Sequence, residues 1–456
     1  MPPEAYDIAV VGGGTAGCFA AATAARAGLD VALLERKSEA DGGHIACGDA
    51  IKGTSTFPDV IDREYLREES FTNENVQRAR FENPKTGGNL DIGFGDASGA
   101  VVDRKRYGEV LLEEAERAGA DIHYGTVVRD IVQNGSITGV TATTRGSVRE
   151  FEAEVVIDAA GSLSLLQDKA DFEGTTFDTN VNYQQFCSAY REIVEVPEPV
   201  EWHDTIVFKP APELGYLWYF PRTPTEINVG LGFQMSKPPV ALVEALKRDL
   251  RNRPEFDGAT VKDKLGAALP TRRPYDSAVA PGYIAVGDAA GHINPCTGGG
   301  IPGAAKAGAW AAEVAADAIA DGDTSERALW AYNRRVQTDF GKRFAAMDLY
   351  NIWGGTHDVD ELVDIVSAMP GQQLVDALGA EGTTSMSWPL KLRTAFGTFG
   401  YWGTLFELKR LNGLAGKLKT VYDDYPATPD GFEEWKARRD DVMESVYDVT
   451  GAEPKY

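Results

Sequence analysis

Residues 6–17, YDIAVVGGGTAG, carry the strongest indication of the fold. A short β-branched run precedes Gly12, Gly14 and Gly17 in G-x-G-x-x-G spacing, and an alanine-rich helix pattern follows. The first glycine permits a tight turn, the second lets a pyrophosphate approach the backbone, and the third allows close packing of helix on strand. Glu35 ends the next predicted strand, where an acid binds a ribose diol and disfavours a 2′-phosphate. The motif therefore predicts a βαβ unit that binds FAD or NAD rather than NADP.

The composition limits the partners of the chain. Its 456 residues allow two or three domains. The net charge of -24 argues against nucleic acid, which needs a basic surface, and fits either a halophile-type hydrated surface or an ordinary acidic cytosolic protein. The four cysteines have neither disulfide-framework nor metal-ligand spacing, and no apolar run reaches the ~20 residues of a membrane span. We therefore expect an intracellular protein without metal.

A second glycine-rich stretch, residues 283–303, chooses between the two cofactors. A buried-strand pattern ends at Asp288, and after a loop Gly300 and Ile301 precede a long alanine-rich helix predicted over 303–319. This arrangement is similar to the second FAD motif of glutathione-reductase-type flavoproteins, in which the acid contacts the ribityl chain or a phosphate and the helix N-terminus faces the flavin. FAD is therefore favoured. Because no separate strand-preceded fingerprint serves a nicotinamide, we expect the electron donor to bind transiently or to be another molecule.

The remaining pattern predicts the fold class. A helix over 107–118 precedes short strands and a hairpin at Asn134-Gly135, and aromatic period-2 strands between about 172 and 268 indicate an antiparallel sheet. We expect an α/β protein with a glutathione-reductase-type, hydroxylase-like FAD-binding Rossmann domain, an inserted antiparallel β-sheet substrate domain and a helical C-terminal region. The predicted FAD-binding parts are 1–75, 100–171 and 278–343, the substrate-domain parts are 76–99 and 172–277, and the C-terminal region is 344–456.

Two further stretches carry a family resemblance. CGDAI at 47–51 and YLWYFP at 216–221 stand between the two cofactor motifs. With those motifs, over roughly residues 6–345, the chain resembles the geranylgeranyl reductases, particularly the archaeal digeranylgeranylglycerophospholipid reductases. The resemblance implies that reduced FAD saturates the prenyl double bonds of archaeal-type ether phospholipids. The expected FAD contacts are Gly12, Gly14, Ala16, Gly17, Glu35, Cys47, Gly48, Ala50, Arg104, Val128, Asp288, Gly300 and Ile301.

The chemistry implied by this resemblance singles out Cys47. An isolated alkene is a poor hydride acceptor because no carbonyl polarises it, so its reduction needs a proton source and a dry cavity beside the flavin. We predict that Cys47 is catalytic, as proton donor or by positioning the alkene; the alternatives are a small residue packed on the flavin and a redox sensor. Asp49 is expected to cap the next helix. His44 and His292 are expected to bond to the backbone rather than to relay protons, and Arg104 to grip the pyrophosphate rather than to be a surface arginine.

Tyr216, Trp218 and Phe220 alternate along one predicted strand that ends at Pro221. Their side chains therefore project from one face of the sheet. Such alternation occurs in an ordinary sheet core. Beside a flavin and with a polyprenyl substrate, it predicts an apolar wall, and we expect these three residues to bind the substrate.

Residues 388–419 carry six Lys or Arg and one acid among aromatic side chains, in an otherwise acidic chain. We expect this segment to meet anionic headgroups or the substrate phosphate, which would make the protein cytoplasmic and peripheral on the inner face of the membrane. A core-packing helix pair with snorkelling lysines is the alternative.

The expected partners are a prenylated glycerophospholipid and an external electron donor, whether NAD(P)H, ferredoxin or a deazaflavin. The competing functions are an FAD-dependent aromatic monooxygenase or halogenase and a non-catalytic flavin or lipid carrier.

Overall fold

The computed structural model describes residues 3–95, 98–179, 185–211, 215–234, 238–368 and 402–454. Three sheets and a set of helices are formed within these ranges. The strands are β1 (Glu4–Val11), β2 (Val31–Glu35), β3 (Ala50–Ile51), β4 (Phe71–Val76), β5 (Arg78–Glu82), β6 (Asn89–Gly93), β7 (Gly99–Val102), β8 (Asp121–Tyr124), β9 (Thr126–Asn134), β10 (Ser136–Thr144), β11 (Ser147–Asp158), β12 (Phe186–Glu195), β13 (Thr205–Ala211), β14 (Gly215–Pro221), β15 (Glu226–Gln234), β16 (Thr260–Pro270), β17 (Val279–Ala280) and β18 (Tyr283–Ala285). The helices are α1 (Thr15–Arg26), α2 (Arg63–Ser70), α3 (Arg104–Ala118), α4 (Leu165–Lys169), α5 (Val240–Leu250), α6 (Ile301–Ala320), α7 (Glu326–Val336), α8 (Lys342–Gly354), α9 (Val359–Ala368), α10 (Trp402–Asp423) and α11 (Phe432–Thr450).

The largest sheet is built around the first strand. β1 lies between β2 and β11 in a parallel array of order β18-β11-β1-β2-β8, with β17 antiparallel at one edge. The predicted β9–β10 hairpin pairs antiparallel with β11. Ile8, Ala9 and Val10 are fully buried, as is typical of parallel strands covered on both faces. The glycine turn after β1 thus lies at the carboxyl edge of the parallel strands, where open α/β sheets bind ligands.

Helices α1 and α6 bring the two glycine-rich motifs together. A Cβ at Gly308 of α6 would lie only 2.1 Å from the carbonyl oxygen of Ala16 in α1. A Cβ at Gly287 would lie 3.0 Å from the Cβ of Ala16. Only small residues permit such an approach between backbones, which accounts for the alanine and glycine content of both helices. Ala16 is therefore the point at which the first motif contacts the second.

The second sheet has seven strands in the order β16-β12-β15-β14-β13-β5-β6. Its pairs are antiparallel, as predicted, apart from the parallel pair of β13 and β5. The sequence pattern does not predict this pair, because the Rossmann part of the chain lies between β5 and β13. One face packs on α5 through a core that includes Tyr219, Leu231 and Leu246. Trp218 and Phe220 belong to a separate cluster on the other face, toward the small sheet β3-β7-β4.

The C-terminal part of the described chain is helical, as predicted. α10 packs against α8 and α11, and Trp330 of α7 stacks on Tyr425 with ring centroids 5.6 Å apart. Of the basic segment, residues 388–401 lie outside the described residues. Every helix within the described ranges is too short or too polar to cross a lipid bilayer. The domain boundaries given above stay predictions.

Candidate active site

The first glycine motif forms the turn between β1 and α1. Gly12 has a φ of +106°, and a Cβ there would lie 2.4 Å from the carbonyl oxygen of Ala159. A Cβ at Gly17 would lie 1.9 Å from the Gly12 carbonyl oxygen, so helix and strand touch only because neither residue has a side chain. A Cβ at Gly14 would meet only Ile45 Cδ1 within 4 Å, at 3.8 Å, so the space beside Gly14 is open. The turn thus leaves room for an anion at the N-terminus of α1, where free N–H groups attract it.

Glu35 ends β2 and is buried beside this turn. One of its oxygens accepts a hydrogen bond of 2.8 Å from the backbone N–H of Gly13, and the other accepts one of 2.7 Å from that of Lys37. These bonds fix the carboxylate where an acid binds the ribose of a dinucleotide. Val128 lies on β9, which packs against β2, and its side chain is partly buried against the main core. Both residues therefore lie at the end of the sheet where the adenosine part of the cofactor is expected.

Arg104 is the first residue of α3, three residues before the predicted helix start. Asp103 is the N-cap, and its carboxylate accepts from two backbone N–H groups of the first turn, a signal that the prediction overlooked. Arg104 is 4% exposed, and its Nη2 donates to Thr15 Oγ1 at 3.3 Å. Its Nη1 is buried without a partner among the described residues. A buried guanidinium with a spare donor beside the glycine turn suits a pyrophosphate, and a surface arginine is excluded.

The second motif surrounds Asp288. Ser162 Oγ donates to its carboxylate at 3.4 Å. Burial raises the pKa of Asp288 to about 6, and Ser162 and Arg104 counteract that rise. Gly300 is the N-cap of α6 and Ile301 is its first residue, which is two residues before the predicted helix. The carboxyl group, the Arg104 guanidinium and the N-terminus of α6 therefore lie close together, although they come from distant parts of the chain.

The loop that carries Cys47 is fixed to α3 by two glycines. Gly43 has a φ of +75°, and a Cβ there would lie 2.5 Å from the carbonyl carbon of Gly108. A Cβ at Gly108 would lie 2.3 Å from the Cα of Gly43. Loop and helix therefore pack backbone to backbone. This contact explains the glycine pair shortly before Cys47, since any side chain at position 43 would push the loop away from the helix.

The Cys47 thiol is held by its own loop and by the second sheet. The backbone N–H of Asp49 donates to Cys47 Sγ at 3.3 Å, and the side-chain amide of Asn228 donates to the Cys47 carbonyl at 2.9 Å. Burial raises the pKa of the thiol, the Asp49 carboxylate raises it further, and Arg104 counteracts them. The thiol is therefore protonated at neutral pH. Such a group donates a proton, whereas a redox sensor needs a thiolate.

The aromatic side chains of β14 lie against this loop. A Cβ at Gly48 would lie 3.1 Å from Phe220 Cε2 and 3.6 Å from Trp218 Cε2. Trp218 stacks on Phe220 with centroids 6.3 Å apart, and Tyr216 lies 6.1 Å from Trp218. Ala50 of β3 packs in the same cluster. The structure thus brings the cysteine loop and the three aromatic residues together, and Gly48 is the point of contact.

The site suits FAD. The open turn at Gly14, the unpartnered Nη1 of Arg104 and the Glu35 carboxylate, which is placed to bind a ribose, lie on one edge of the sheet. The model of the FAD dependent oxidoreductase family matches residues 7–227. The digeranylgeranylglycerophospholipid reductase of Methanothrix thermoacetophila is 33% identical over 346 residues, which are 74% of this chain and 85% of the relative. The chain belongs to the digeranylgeranylglycerophospholipid reductase family. It is an FAD-dependent oxidoreductase, as the sequence predicted.

The likeness between this reductase and its relatives reaches the C-terminal helices. The digeranylgeranylglycerophospholipid reductase of Sulfolobus acidocaldarius is 27% identical over 447 residues, 96% of this chain and 97% of the relative. The crystal structure of a geranylgeranyl bacteriochlorophyll reductase-like protein from Thermoplasma acidophilum has a TM-score of 0.73 at 24% identity and covers 90% of this chain and 99% of its own. A myxobacterial chondrochloren halogenase has a TM-score of 0.63 at 18% identity, with 87% and 98% covered. These two structures confirm the fold class.

The sequence-based prediction for Asp49 is wrong. Asp49 does not cap a helix, because it is completely buried and its carboxylate pairs with Arg222 at 2.7 Å. The next helix of the reductase, α2, is capped by Asp62, which accepts from the backbone N–H groups of Glu64 and Tyr65. A loop acid close to a helix start fits the capping pattern locally, and the arginine that binds Asp49 lies far along the chain.

The two loop histidines have different partners. His292 is buried and its Nδ1 accepts a hydrogen bond of 3.1 Å from the backbone N–H of Gly287, as predicted. Burial lowers its pKa to about 3, so it stays neutral. The prediction for His44 is wrong in its partner, because its Nε2 lies 2.8 Å from the carboxylate of Asp263 on β16. This pair ties the cysteine loop to the edge of the second sheet.

Sequence reasoning missed two polar residues and one aromatic residue of this reductase site. Asn228 on β15 is completely buried, accepts from Trp218 Nε1 at 2.9 Å and donates to the Cys47 carbonyl. Arg222 directly follows β14, and Phe208 of β13 has its ring centroid 5.2 Å from that of Phe220. The available signal was the single polar side chain in the run INVGLGF, since a buried asparagine needs hydrogen-bond partners.

Proposed function

We propose that this reductase saturates the carbon–carbon double bonds of geranylgeranyl chains on archaeal-type ether phospholipids. Membership of the digeranylgeranylglycerophospholipid reductase family supports the substrate class. The observation that carries the chemistry is the contact of the Cys47 loop with the aromatic face of β14. At Gly48 a Cβ would lie 3.1 Å from Phe220, so little space for water separates loop and aromatic wall.

The residues described above would hold FAD along the edge of the large sheet. Glu35 would bind the ribose, Arg104 the pyrophosphate, and Asp288 the ribityl chain, with the N-terminus of α6 at the flavin end. Reduced FAD supplies the hydride when bound. The remaining requirements, which are a proton, an oriented alkene and a dry site, fall to the protein.

Cys47 is proposed to deliver the proton to the second alkene carbon. Its S–H bond breaks as the new C–H bond forms, and the thiolate then takes a proton back from solvent. The raised pKa of the thiol keeps it loaded at neutral pH. A weak acid is sufficient because the alkene is protonated only as the hydride arrives at the other carbon.

Tyr216, Trp218 and Phe220 are proposed to hold the prenyl chain. Trp218 and Phe220 are at most 7% exposed, and Phe208 extends their surface onto β13. Burying an alkene against aromatic rings excludes water and orients its face, and the rings stabilise positive charge that develops at the carbon that receives the hydride. The three residues therefore act by binding and orientation.

The test is anaerobic incubation of the reduced enzyme with a geranylgeranyl glycerophospholipid, followed by mass spectrometry of the lipid. The proposal predicts a gain of two hydrogens for each double bond, and in D₂O the carbon that is protonated by the thiol carries deuterium. Cys47→Ala should lower the rate by roughly 100-fold or more, as expected when a general acid is removed. Cys296→Ala is the matched control, because this thiol donates to the backbone carbonyl of Met347 at 3.2 Å and has no other hydrogen-bond partner within the described ranges.

The same assay separates the competing functions. An aromatic monooxygenase or halogenase would turn over only with oxygen and would leave the lipid unchanged under anaerobic conditions. A flavin or lipid carrier would bind the lipid without any change in mass. The donor that reduces the flavin is proposed to be an external molecule, and stopped-flow bleaching of the flavin by NAD(P)H, ferredoxin or a deazaflavin identifies it.

We further propose that the outer face of α10 contacts the cytoplasmic face of the membrane. Leu411, Leu414 and Leu418 face the protein core, whereas Lys409 and Arg410 are exposed on the opposite side. Phe406, 61% exposed, and Lys417 share that outer face. Among the described residues none of these three cations contacts a carboxylate. A basic helix face with an exposed aromatic ring suits anionic lipid headgroups.

Vesicle sedimentation tests the membrane contact. Lys409→Glu combined with Arg410→Glu should reduce binding to vesicles that contain anionic phospholipid by about tenfold or more, since each charge near such a surface contributes about 1 kcal/mol. The matched control reverses Arg334 and Arg335, an exposed pair on α7. Equal partitioning of both double variants and the native enzyme would contradict the membrane contact without affecting the proposed reaction.

A further inference from the structure

A buried carboxylate lies directly beside the thiol. Asp49 is completely inaccessible to solvent and has a φ of +71°, a left-handed conformation that aspartate tolerates better than most residues. Its Oδ2 accepts three hydrogen bonds, from Arg222 Nε at 2.9 Å, from Arg222 Nη2 at 2.7 Å and from Asn228 Nδ2 at 2.6 Å. Burial raises the pKa of Asp49, and Arg222 and Asn228 counteract that rise. The paired guanidinium favours the carboxylate form, whose Oδ1 is buried without a partner among the described residues.

The residues that bind Asp49 also hold the reactive groups. Asn228 donates to the Cys47 carbonyl at 2.9 Å and accepts from Trp218 Nε1 at 2.9 Å. The backbone N–H of Asp49 donates to Cys47 Sγ at 3.3 Å. A single network therefore joins the thiol, the acid, the arginine and the aromatic wall. Asp49, Arg222, Asn228 and Trp218 are buried and Cys47 is partly buried, so the network is held by hydrogen bonds rather than by water.

We propose that Asp49 is a positioning residue: its carboxylate, fixed by Arg222 and Asn228, places negative charge beside the Cys47 thiol and aligns that thiol with Trp218. This inference rests on the proposed function, in which Cys47 is the proton donor. Asp49 itself does not touch the substrate in this proposal. It acts through the thiol, by placing negative charge beside the sulfur and by setting the backbone that carries it.

The charges around Cys47 give the direction of the effect. Burial raises the pKa of the thiol most, and the negative charge of Asp49 raises it next. Arg104 on α3 and Arg191 on β12 lower it. The other titratable groups that face Cys47 are Tyr107 and Tyr216, whose own pKa values are raised in part by the cysteine. Asp49 is the acid that opposes the two arginines, so its removal leaves an excess of positive charge beside the sulfur.

Asp49→Asn is the direct test, because asparagine accepts the same hydrogen bonds and tolerates the left-handed backbone. In the holoenzyme, iodoacetamide alkylation of Cys47 is followed by peptide mass spectrometry across alkaline pH. The midpoint should move to lower pH by at least about half a unit, which is about threefold faster alkylation at fixed pH below the midpoint. Cys187 is an internal reference, because burial alone raises its pKa to about 12. An unchanged Cys47 midpoint would overturn the inference.

Two further variants control for misfolding and for an indirect effect through Arg222. Asp49→Gly removes the carboxylate, accepts the φ of +71° without strain and should move the midpoint in the same direction. Glu226→Gln is the matched control, since Glu226 also pairs with Arg222, at 3.4 Å, and should leave the Cys47 midpoint in place. A shift of the same size in Glu226→Gln would assign the effect to Arg222 alone and contradict the role of Asp49. Flavin absorbance confirms that each variant retains FAD.

The alkaline limb of the kcat profile separates this inference from the proposed function. If Cys47 is the proton donor, the limb should move in Asp49→Asn by the same amount as the alkylation midpoint. If the midpoint of Cys47 alkylation moves but the alkaline limb of the kcat profile does not, the role of Asp49 is supported and Cys47 is refuted as proton donor. If the midpoint does not move but Cys47→Ala abolishes turnover, the inference fails while the proposed function stands.

Discussion

The Tyr216 hydroxyl donates a hydrogen bond of 2.7 Å to the backbone carbonyl of Thr297. Tyr216 begins the aromatic face of β14, and Thr297 lies in the glycine-rich loop that leads into α6. The bond therefore joins the second sheet to the second FAD motif. It fixes the aromatic wall relative to the place expected for the flavin, which is the relationship that alkene reduction depends on.

Tyr216→Phe should lower kcat/KM for the prenyl lipid by about fivefold, because the loss of one neutral hydrogen bond costs about 1 kcal/mol of alignment. The ring and its packing are kept. Tyr350→Phe is the control, since it removes a bond of 3.0 Å to Asn412 on the C-terminal helices. Steady-state kinetics on the two variants check the prediction, and similar losses in both would contradict a specific role for the Tyr216 bond.

Gly43→Ala should detach the cysteine loop from α3. The new Cβ would lie 2.5 Å from the backbone of Gly108, in addition to the strain of a positive φ. We expect a loss of about 3 kcal/mol or more in urea unfolding, together with weaker FAD binding. Gly53→Ala shares the positive φ, +94°, but meets no atom within 4 Å, and it should cost only about 1 kcal/mol. If both variants lose the same stability, the contact with Gly108 is unimportant.

Arg104→Met should weaken FAD binding by about tenfold or more, because a charge-assisted pair with phosphate contributes about 1.5 to 3 kcal/mol. The apoprotein should lose little stability, since the guanidinium makes one hydrogen bond of 3.3 Å to Thr15 and lies 4.8 Å from the Tyr107 ring, which a methionine side chain also covers. Arg106→Met should lower the stability of the apoprotein and leave FAD binding nearly unchanged. Arg106 sits on the same helix but bonds to Glu69 at 2.7 Å and Glu113 at 2.6 Å. Flavin fluorescence titration measures FAD binding of the two variants, and thermal unfolding measures the stability of their apoproteins. If Arg104→Met does not weaken FAD binding more than Arg106→Met, Arg104 does not bind the pyrophosphate.

The buried His292 predicts a pH-dependent stability. Its pKa is lowered from 6.5 to about 3, so folding favours the neutral ring, and the unfolded chain takes up the proton first as the pH falls. The stability that folding gains from the neutral His292 ring is fully present above about pH 6.5 and is lost as the pH falls toward 3. Between pH 7 and 5 the native protein should therefore lose about 2 kcal/mol more than His292→Asn, which keeps an acceptor for the Gly287 N–H. Urea unfolding at both pH values measures this, and parallel losses would disprove it.

Local patterns predicted much of the site because they report local physics. The turn at Gly12 and Gly17, the acid at Glu35 and the second motif around Asp288 depend on backbone conformation and on strand and helix ends that lie within a few residues of one another. The alternation of Tyr216, Trp218 and Phe220 likewise required only the period of a strand. The family resemblance added the link between the cysteine loop and these aromatic residues, which no spacing in the chain contains.

Local sequence patterns therefore predict the Rossmann core and the FAD-binding edge, and the family resemblance adds Cys47 as the proposed proton donor. The surroundings of that thiol depend on how distant parts of the chain pack. Asp49 meets Arg222 and Asn228 across 173 and 179 residues of chain, and the close approach of Gly43 to Gly108 depends on how a loop docks on a helix. Periodicity and turn chemistry act over a few residues, whereas a buried charge is satisfied by whichever partner the packing of two sheets brings to it.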